Sequence, residues 1–211
     1  KSVIQNPYTD VKKLTSTAVY TQNNGVITVP DNGSVIFFID NNNFIRGIRS
    51  DGTNETVMGQ IGIWRTIAIS PDGLKLAATT TSLSPIIYVF DLEQGTYKEI
   101  TLYVPNTGGD SSIVPLFANT LSWNINNKIL AYDALNYGFD KDGKEYFYME
   151  MNAIDVTSGV IYRIFPPMPP GVHIGSPDFS KNSTYKLVFE VYNESEKMYY
   201  INGVDLFSGK V

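Results

Sequence analysis

The sequence of 211 residues contains no cysteine and a single histidine. The lack of cysteine excludes disulfide bonds, thiol nucleophiles and cysteine-ligated zinc, and one histidine is too few for a histidine-rich metal site. The 16 basic residues are scattered and the net charge is −5, so the sequence lacks the basic patch of a nucleic-acid-binding protein. No apolar run approaches the roughly 18 residues of a membrane span.

Recognisable catalytic motifs are also missing. No Gly-x-Ser-x-Gly nucleophile elbow occurs, and the glycines of Thr107–Ser112 are followed by neither the lysine nor the helix of a phosphate-binding loop. Residues 140–143 (DKDG) resemble the start of a calcium loop but lack its later ligands, so a charged hairpin tip is the simpler interpretation. We therefore predict no catalytic residue, no metal site and no cofactor.

What the sequence does contain is a cassette that occurs four times. Each copy is an apolar run, a tight polar turn and a second apolar run, at Val26–Phe38, Ile67–Ala78, Leu121–Tyr132 and Pro177–Phe189. A second mark, Asp-Leu/Val-x-x-Gly, follows three of the copies at Asp91–Gly95, Asp155–Gly159 and Asp205–Gly209, and Arg49–Thr53 is a looser version in the first unit. A repeated period of this kind is typical of repeat architectures.

The cassettes predict an all-β fold, a β-propeller of four-stranded blades. Each unit is read as four short strands, a to d, because apolar residues alternate with period two and turn residues separate the runs. The units span approximately residues 19–59, 60–104, 117–166 and 173–211 of a single domain. A β-sandwich is the competing architecture, but it would not repeat both marks.

Particular residues of the second unit resemble a known repeat. Ser70–Ala77 (SPDGLKLA), then Ile87–Asp91 (IYVFD) and Lys98–Thr101 (KEIT), are similar to the TolB-type, or WD40-like, propeller repeat. The opening of that repeat is also matched by Pro177–Ser180. The resemblance implies a propeller without implying one function, because such repeats serve periplasmic binding proteins, lipoproteins and the lid domains of prolyl-peptidases.

The fourth unit ends without a d strand. Residues 10–16 are similar to a d strand and are a candidate closing strand from the N-terminus. Two arrangements stay open: four blades that close on themselves, or, as we favour, part of a larger ring of six to eight blades.

The repeat also assigns every connection to one end of the propeller. Turns between strands a and b and between c and d are short and share one end, the turn face. The b–c and d–a connections hold all the insertions and share the other end, the loop face, which we predict to be functional. Four side chains at or near the starts of a strands are candidate ligand-binding residues at the channel mouth: Trp64, Arg65, Asn119 and His173. The alternative is that Trp64 packs between blades and Arg65 pairs with a carboxylate.

Within the long connections we single out candidate partner-binding residues: Tyr103, Asp110, Tyr137, Phe139, Asp140 and Asp142. The aromatic residues around Asn136–Lys144 either form a partner-binding patch or belong to an unusually long b–c hairpin. We favour the hairpin.

Three functions follow as hypotheses. The first is a non-catalytic domain that binds a protein or peptide on the loop face. The second is the substrate-gating propeller of a larger prolyl-oligopeptidase-like serine peptidase, and the third is a small-molecule or glycan enzyme working in the channel. Abundant Asn, Ser, Thr and Tyr, low charge and a start at Lys1 favour a processed or trimmed, extracytoplasmic protein. The sequence does not indicate an oligomeric state.

Overall fold

A computed structural model describes residues 13–16, 27–105, 113–139, 142–166, 168–169 and 171–211, and these residues form four antiparallel sheets. The first sheet contains β1 (Ile27–Thr28), β2 (Val35–Ile39), β3 (Ile45–Arg49) and β4 (Thr56–Met58). The second contains β5 (Trp64–Ile69), β6 (Lys75–Thr80), β7 (Ile86–Asp91) and β8 (Thr96–Thr101). The third contains β9 (Val114–Trp123), β10 (Ile129–Phe139), β11 (Glu145–Asp155) and β12 (Ile161–Arg163). The fourth contains β13 (Val172–Phe179), β14 (Lys186–Asn193) and β15 (Met198–Asp205).

The four sheets lie in a ring, which confirms the predicted propeller. Within each sheet the strands follow chain order. The first strands contact one another from sheet to sheet, β1 with β5, β5 with β9 and β9 with β13, and are therefore the innermost strands. No helix occurs in the described ranges, and hence none that is long and apolar enough to cross a membrane.

The core lies between neighbouring sheets, and the second and third sheets are apolar on both faces. In β6, Leu76 and Ala78 pack toward the first sheet while Ala77 packs toward the third. Trp123 contributes to the core between the second and third sheets and donates its indole N–H to the carbonyl of Ala68 at 2.9 Å. The period-two pattern therefore buries alternate residues against two different neighbours.

The Asp-x-x-x-Gly mark is explained by its hydrogen bonds. The Oδ1 atom of each aspartate accepts a hydrogen bond from a backbone N–H inside the turn, from Gln94 to Asp91 at 2.9 Å, from Thr157 to Asp155 at 2.8 Å and from Phe207 to Asp205 at 2.9 Å. The glycine has a positive φ, 67° at Gly95 and 76° at Gly159, and donates to the aspartate carbonyl. This mark is turn chemistry.

The a–b turns are linked to one another around the ring. Asp31 donates its N–H to the carbonyl of Pro71 at 3.0 Å, and Asp72 donates its N–H to Oδ1 of Asn127 at 3.1 Å. An ion pair of 3.6 Å between Lys181 and Asp31 joins the fourth sheet to the first. These short turns connect neighbouring sheets.

The predicted closing strand is only partly described. Residues 10–12 lie outside the described residues, and Lys13–Ser16 carry no strand pairing. Ser16 instead donates both its N–H and its hydroxyl to Glu55 at 2.7 Å, and the Leu14 side chain lies beside Gly52. Within the described residues the fourth sheet has three strands, and its closure stays a prediction.

One predicted loop is a strand. The expected connection from Asn136 to Lys144 is wrong over its first residues, because β10 pairs with β11 as far as Phe139 opposite Glu145. Tyr137 and Phe139 therefore lie in a strand. Alternating aromatic side chains stabilise this extension across the pair, as the long-hairpin alternative expects.

We predict that Asp155→Ala lowers the free energy of unfolding by about 1 kcal/mol, because two backbone N–H groups of the turn lose their acceptor. The hydrogen bond from Ser158, with that from Thr157, lowers the pKa of Asp155. This stabilisation is therefore present above the unfolded pKa of about 3.9 and is lost as the pH falls through the lowered folded pKa. Urea unfolding at several pH values measures both effects.

The control is Asp155→Asn, which keeps an acceptor oxygen and should lose less stability than the alanine variant. A difference between wild type and Asp155→Ala that stays constant into the acid range would contradict this role.

Candidate functional site

Three innermost strands carry a β-bulge at nearly the same level. The extra residue is Arg65 in β5 and Asn119 in β9, and in β13 the register shifts across Ser176. Arg65 and Asn119 each lie five residues before the start of the following turn, at Ser70 and Asn124. The corresponding part of the first sheet lies outside the described residues. Bulges re-aim side chains and occur often beside functional sites.

The bulge in β5 directs two predicted site residues, Trp64 and Arg65, into different surroundings. Because Arg65 is the extra residue, Trp64 falls on the same face as Ile67, in the core between the first and second sheets. Its ring packs edge-on against Tyr88 and Phe90, with centroids 5.4 Å apart in each case, and only 8% of the residue is exposed. Trp64 thus packs between blades.

Arg65 reaches across to the third sheet. Its guanidinium carbon lies 4.0 Å from the ring centroid of Phe117, and Nη2 lies 3.4 Å from Oδ1 of Asn119. The next residue of β5, Thr66, donates its hydroxyl to the Asn119 carbonyl at 2.8 Å. The structure therefore brings Arg65 and Asn119 together at the centre of the ring, both half-buried.

A buried carboxylate, Asp133 of β10, joins the bulges of the third and fourth sheets. Its Oδ1 accepts hydrogen bonds from the N–H of Thr120 at 2.6 Å and from the Thr120 hydroxyl at 2.8 Å, and its Oδ2 accepts from the N–H of Ser176 at 3.0 Å. Burial raises the pKa of Asp133, and these hydrogen bonds oppose that shift.

In the fourth sheet, Gly175 and Ser176 lie against the Asp133 carboxylate, and Ser176 has a strained backbone. A Cβ added to Gly175 would lie 2.6 Å from Oδ2 of Asp133. Ser176 has a φ of 52°, rare for a residue with a side chain, and its hydroxyl donates to Glu190 at 3.1 Å. Strained backbone of this kind persists only where the surroundings hold it, and it clusters at functional sites.

Sequence reasoning missed Asp133, Ser176 and Glu190. Asp133 left one signal, a charged residue inside the apolar run Ile129–Leu135. Ser176 and Glu190 left none, because their importance depends on a bulge that pairing alone reveals.

The remaining predicted residues lie apart from this centre. His173 contacts Glu194, just after β14, at 2.7 Å and stacks on Tyr192. The Tyr103 hydroxyl accepts the N–H of Ile161 at 3.1 Å, linking the second and third sheets. Asp142 lies at the exposed hairpin tip, whereas Asp110 and Asp140 lie outside the described residues.

Above the centre, on the loop face, β10 and β11 extend beyond the body of the third sheet. We call residues 136–139 and 142–148 the aromatic arm. Tyr137 packs against Phe139 and Phe147, with centroids 5.3 and 5.2 Å apart, and Phe147 is 57% exposed. Tyr146 stacks on Tyr148. The arm therefore presents aromatic surface beside the ring centre.

A second buried carboxylate stabilises the base of the arm. Glu150 accepts Nε of Arg163 at 2.7 Å and the hydroxyl of Tyr148 at 3.1 Å. Burial, followed by the charge of Glu150, raises the pKa of Tyr148, so this hydroxyl stays protonated and donates. Glu150 therefore contacts both Arg163 and Tyr148, and the three side chains link β11 to β12.

The chemistry available at the centre is recognition by hydrogen bonding and charge. Across the part of the protein that the structure describes, no three His, Asp or Glu side chains gather as metal ligands. The ring centre offers a guanidinium, an amide, a hydroxyl and a half-buried carboxylate, which are groups that orient polar ligands.

Comparison with known proteins supports the fold. No protein-family model and no curated protein matches the sequence. Dipeptidyl peptidase 4 of Porphyromonas gingivalis has 12% identity and a TM-score of 0.52 over 89% of this chain and 39% of its own. Oligogalacturonate lyase of Vibrio parahaemolyticus has 12% identity and a TM-score of 0.55 over 87% of this chain and 52% of its own. The GH74 xyloglucanase of Xanthomonas campestris has 9% identity and a TM-score of 0.56 over 87% of this chain and 28% of its own. The chain thus spans about half or less of these proteins.

We predict that Gly175→Ala destabilises the domain by about 1–3 kcal/mol, because the new methyl group collides with a carboxylate that three hydrogen bonds hold in place. The matched control is Gly203→Ala in β15 of the same sheet, where the nearest atom to an added Cβ lies 3.7 Å away and no loss is expected. Urea unfolding compares the two variants. Equal losses would show that Asp133 yields to the added methyl group.

Proposed function

We propose that this propeller is a non-catalytic binding domain that recognises a protein or peptide partner on its loop face. One observation carries the proposal: the β-bulges in three consecutive innermost strands bring Arg65 to Asn119 and place Ser176 against a buried carboxylate, at the foot of the aromatic arm. Because a bulge changes the direction of the side chains around it, the consequence of these bulges is the placement of polar side chains.

The aromatic arm supports a macromolecular partner. Phe147 and Phe139 are 57% and 40% exposed, and Val114 on the neighbouring strand is 45% exposed. Exposed aromatic residues beside a polar centre are typical of interfaces, in which a few aromatic anchors contribute most of the binding energy. An extended peptide lying along the arm reaches the ring centre with one end.

A second candidate is a substrate-gating propeller of a larger prolyl-oligopeptidase-like serine peptidase. The likeness to dipeptidyl peptidase 4, which covers 39% of that protein, favours it, as does the resemblance to TolB-type repeats. A Gly-x-Ser-x-Gly nucleophile elbow in sequence continuous with these residues would establish this candidate and replace the first.

We predict that peptides selected from a phage-displayed random library bind the domain and lose affinity about tenfold or more in Phe147→Ser, because this exposed ring on the loop face is an anchor. The matched control is Phe207→Ser. Phe207 is 83% exposed but lies in a c–d turn on the opposite end, so its substitution should leave affinity unchanged. Fluorescence anisotropy of the selected peptides provides the measurement.

If the affinity of the selected peptides falls in Phe207→Ser and is unchanged in Phe147→Ser, binding occurs on the turn face and the proposal is overturned. A library from which no peptide is retained by the folded domain would also count against it.

A further inference from the structure

We propose that the outer edge of β15 pairs, antiparallel, with the same edge of a second copy of this chain. This surface is separate from the loop face, so the inference does not depend on the proposed function. Among the described residues, β15 is the outermost strand of the fourth sheet. Its residues from Met198 to Gly203 are all exposed, on both faces of the strand.

The composition of β15 distinguishes it from the other outer strands. β4 and β12 have three residues each, and the six-residue β8 carries Lys98 and Glu99. Short strands and charged side chains are features that keep the edge of a sheet from pairing with another chain. β15 has eight residues, no proline and no charge before Asp205, and its Tyr199 and Ile201 are 68% and 69% exposed. Its edge therefore lacks the features that prevent pairing.

The hydrogen bonds around β15 show which backbone groups face outward. Peptide groups of a strand point alternately to its two sides. Leu206 donates its N–H to the carbonyl of Tyr185, just before β14, at 2.8 Å, whereas Asp205 donates its N–H outward to the carbonyl of Lys210 at 2.9 Å. The pairing of β14 with β15 has no register shift, so the alternation continues along the strand. The residues whose N–H and C=O groups face outward are therefore Gly203, Ile201 and Tyr199.

This alternation restricts the register of a two-fold symmetric pair. Both residues of a hydrogen-bonded pair must have outward-facing groups, so an odd-numbered residue lies opposite an odd-numbered one. Lys210 already lies beside Asp205 through a single β-bridge, so the second copy pairs with the earlier part of β15. A register centred on Tyr200 meets both conditions. It places Tyr199 opposite Ile201 of the second copy and Tyr200 opposite its own counterpart.

The side chains brought together by this register are complementary. The backbones of Tyr199 and Ile201 exchange N–H···O bonds, and the two-fold axis repeats this pair. An aromatic side chain opposite a β-branched one, and two aromatic side chains such as Tyr200 and its counterpart, are cross-strand pairs that stabilise sheets. Beyond them, Lys197 lies diagonal to Asp205 of the second copy, so opposite charges approach each other. The same edge therefore supplies both halves of the contact.

The candidate closing strand, residues 10–16, is the alternative occupant of this edge. Its described part, residues 13–16, contacts the first sheet, because Ser16 donates to Glu55 at 2.7 Å. A closing strand would have to extend along β15 instead. We therefore expect the second copy at this edge, in a weak and reversible dimer, because an edge pair of this length buries less surface than a standard stable interface.

Disulfide trapping tests the register, because the chain contains no cysteine of its own. In the proposed dimer the two Tyr200 residues form a non-hydrogen-bonded pair, with Cα atoms about 4.5 Å apart, which a disulfide can span. In mild oxidant, Tyr200→Cys should form a linked dimer about tenfold or more faster than Tyr97→Cys, because pairing holds the two thiols together. Tyr97, on the outer strand β8, is 60% exposed. Ile201→Cys, which does not lie opposite itself, should match this control.

A second pair of variants separates edge pairing from packing of sheet faces. Ile201→Pro removes an outward N–H and leaves the bonds to β14 in place, because proline is tolerated where the N–H faces away from the sheet. It should weaken dimerisation about tenfold or more in sedimentation velocity, while the protein keeps a cooperative melting transition. The matched control is Val188→Lys in the central strand β14. Val188 is 48% exposed, and its substitution should leave the dimer unchanged.

A protein that stays monomeric, with Tyr200→Cys cross-linking no faster than Tyr97→Cys, would overturn the inference. So would faster cross-linking of Ile201→Cys than of Tyr200→Cys. Dimers lost in Val188→Lys and retained in Ile201→Pro would place the contact on the sheet face and also overturn it. Slow hydrogen exchange at the N–H groups of Tyr199 and Ile201 in dilute, monomeric protein would show that the chain covers this edge itself, which again contradicts pairing with a second copy.

Discussion

The structure depends on one constraint: the second and third sheets are apolar on both faces and must be covered on both. Ile67 and Ala68, adjacent in β5, pack against different neighbouring sheets. A sheet of this kind cannot be an outer layer, so successive sheets stack around an axis. The innermost strands then converge, and groups at their bulges meet side chains of the next sheet.

Where the innermost strands converge, polar contacts replace the apolar packing found between the sheets. Asp133 occupies a position between sheets where apolar residues otherwise lie, and it is tolerated because Thr120 and Ser176 supply its hydrogen bonds. A carboxylate in this position is costly unless every partner is in place. These partners lie at the bulges of the third and fourth sheets, so one carboxylate links the two sheets at the ring centre.

The two ends of the propeller therefore have different physical roles. On the turn face, aspartate side chains and glycines with positive φ satisfy the backbone within each turn, and turn-to-turn bonds such as that from Asp31 to Pro71 link the sheets. On the loop face, the strands of the third sheet continue into the aromatic arm, whose outward rings have no sheet beside them among the described residues. Exposed aromatic surface therefore lies on the loop face, whereas the hydrogen bonds between neighbouring turns lie on the turn face.

The sequence alone determined the all-β class, the four units and the division between turn face and loop face, because period-two alternation and turn residues are local properties. It also predicts that Arg65 and Asn119 lie near the channel. Only the tertiary structure decided that Trp64 enters the core while Arg65 meets Asn119, that Asn136–Phe139 continues a strand, and that Asp133 organises the centre. A bulge adds one residue without changing composition, and its effect appears only when a strand is paired with a particular partner.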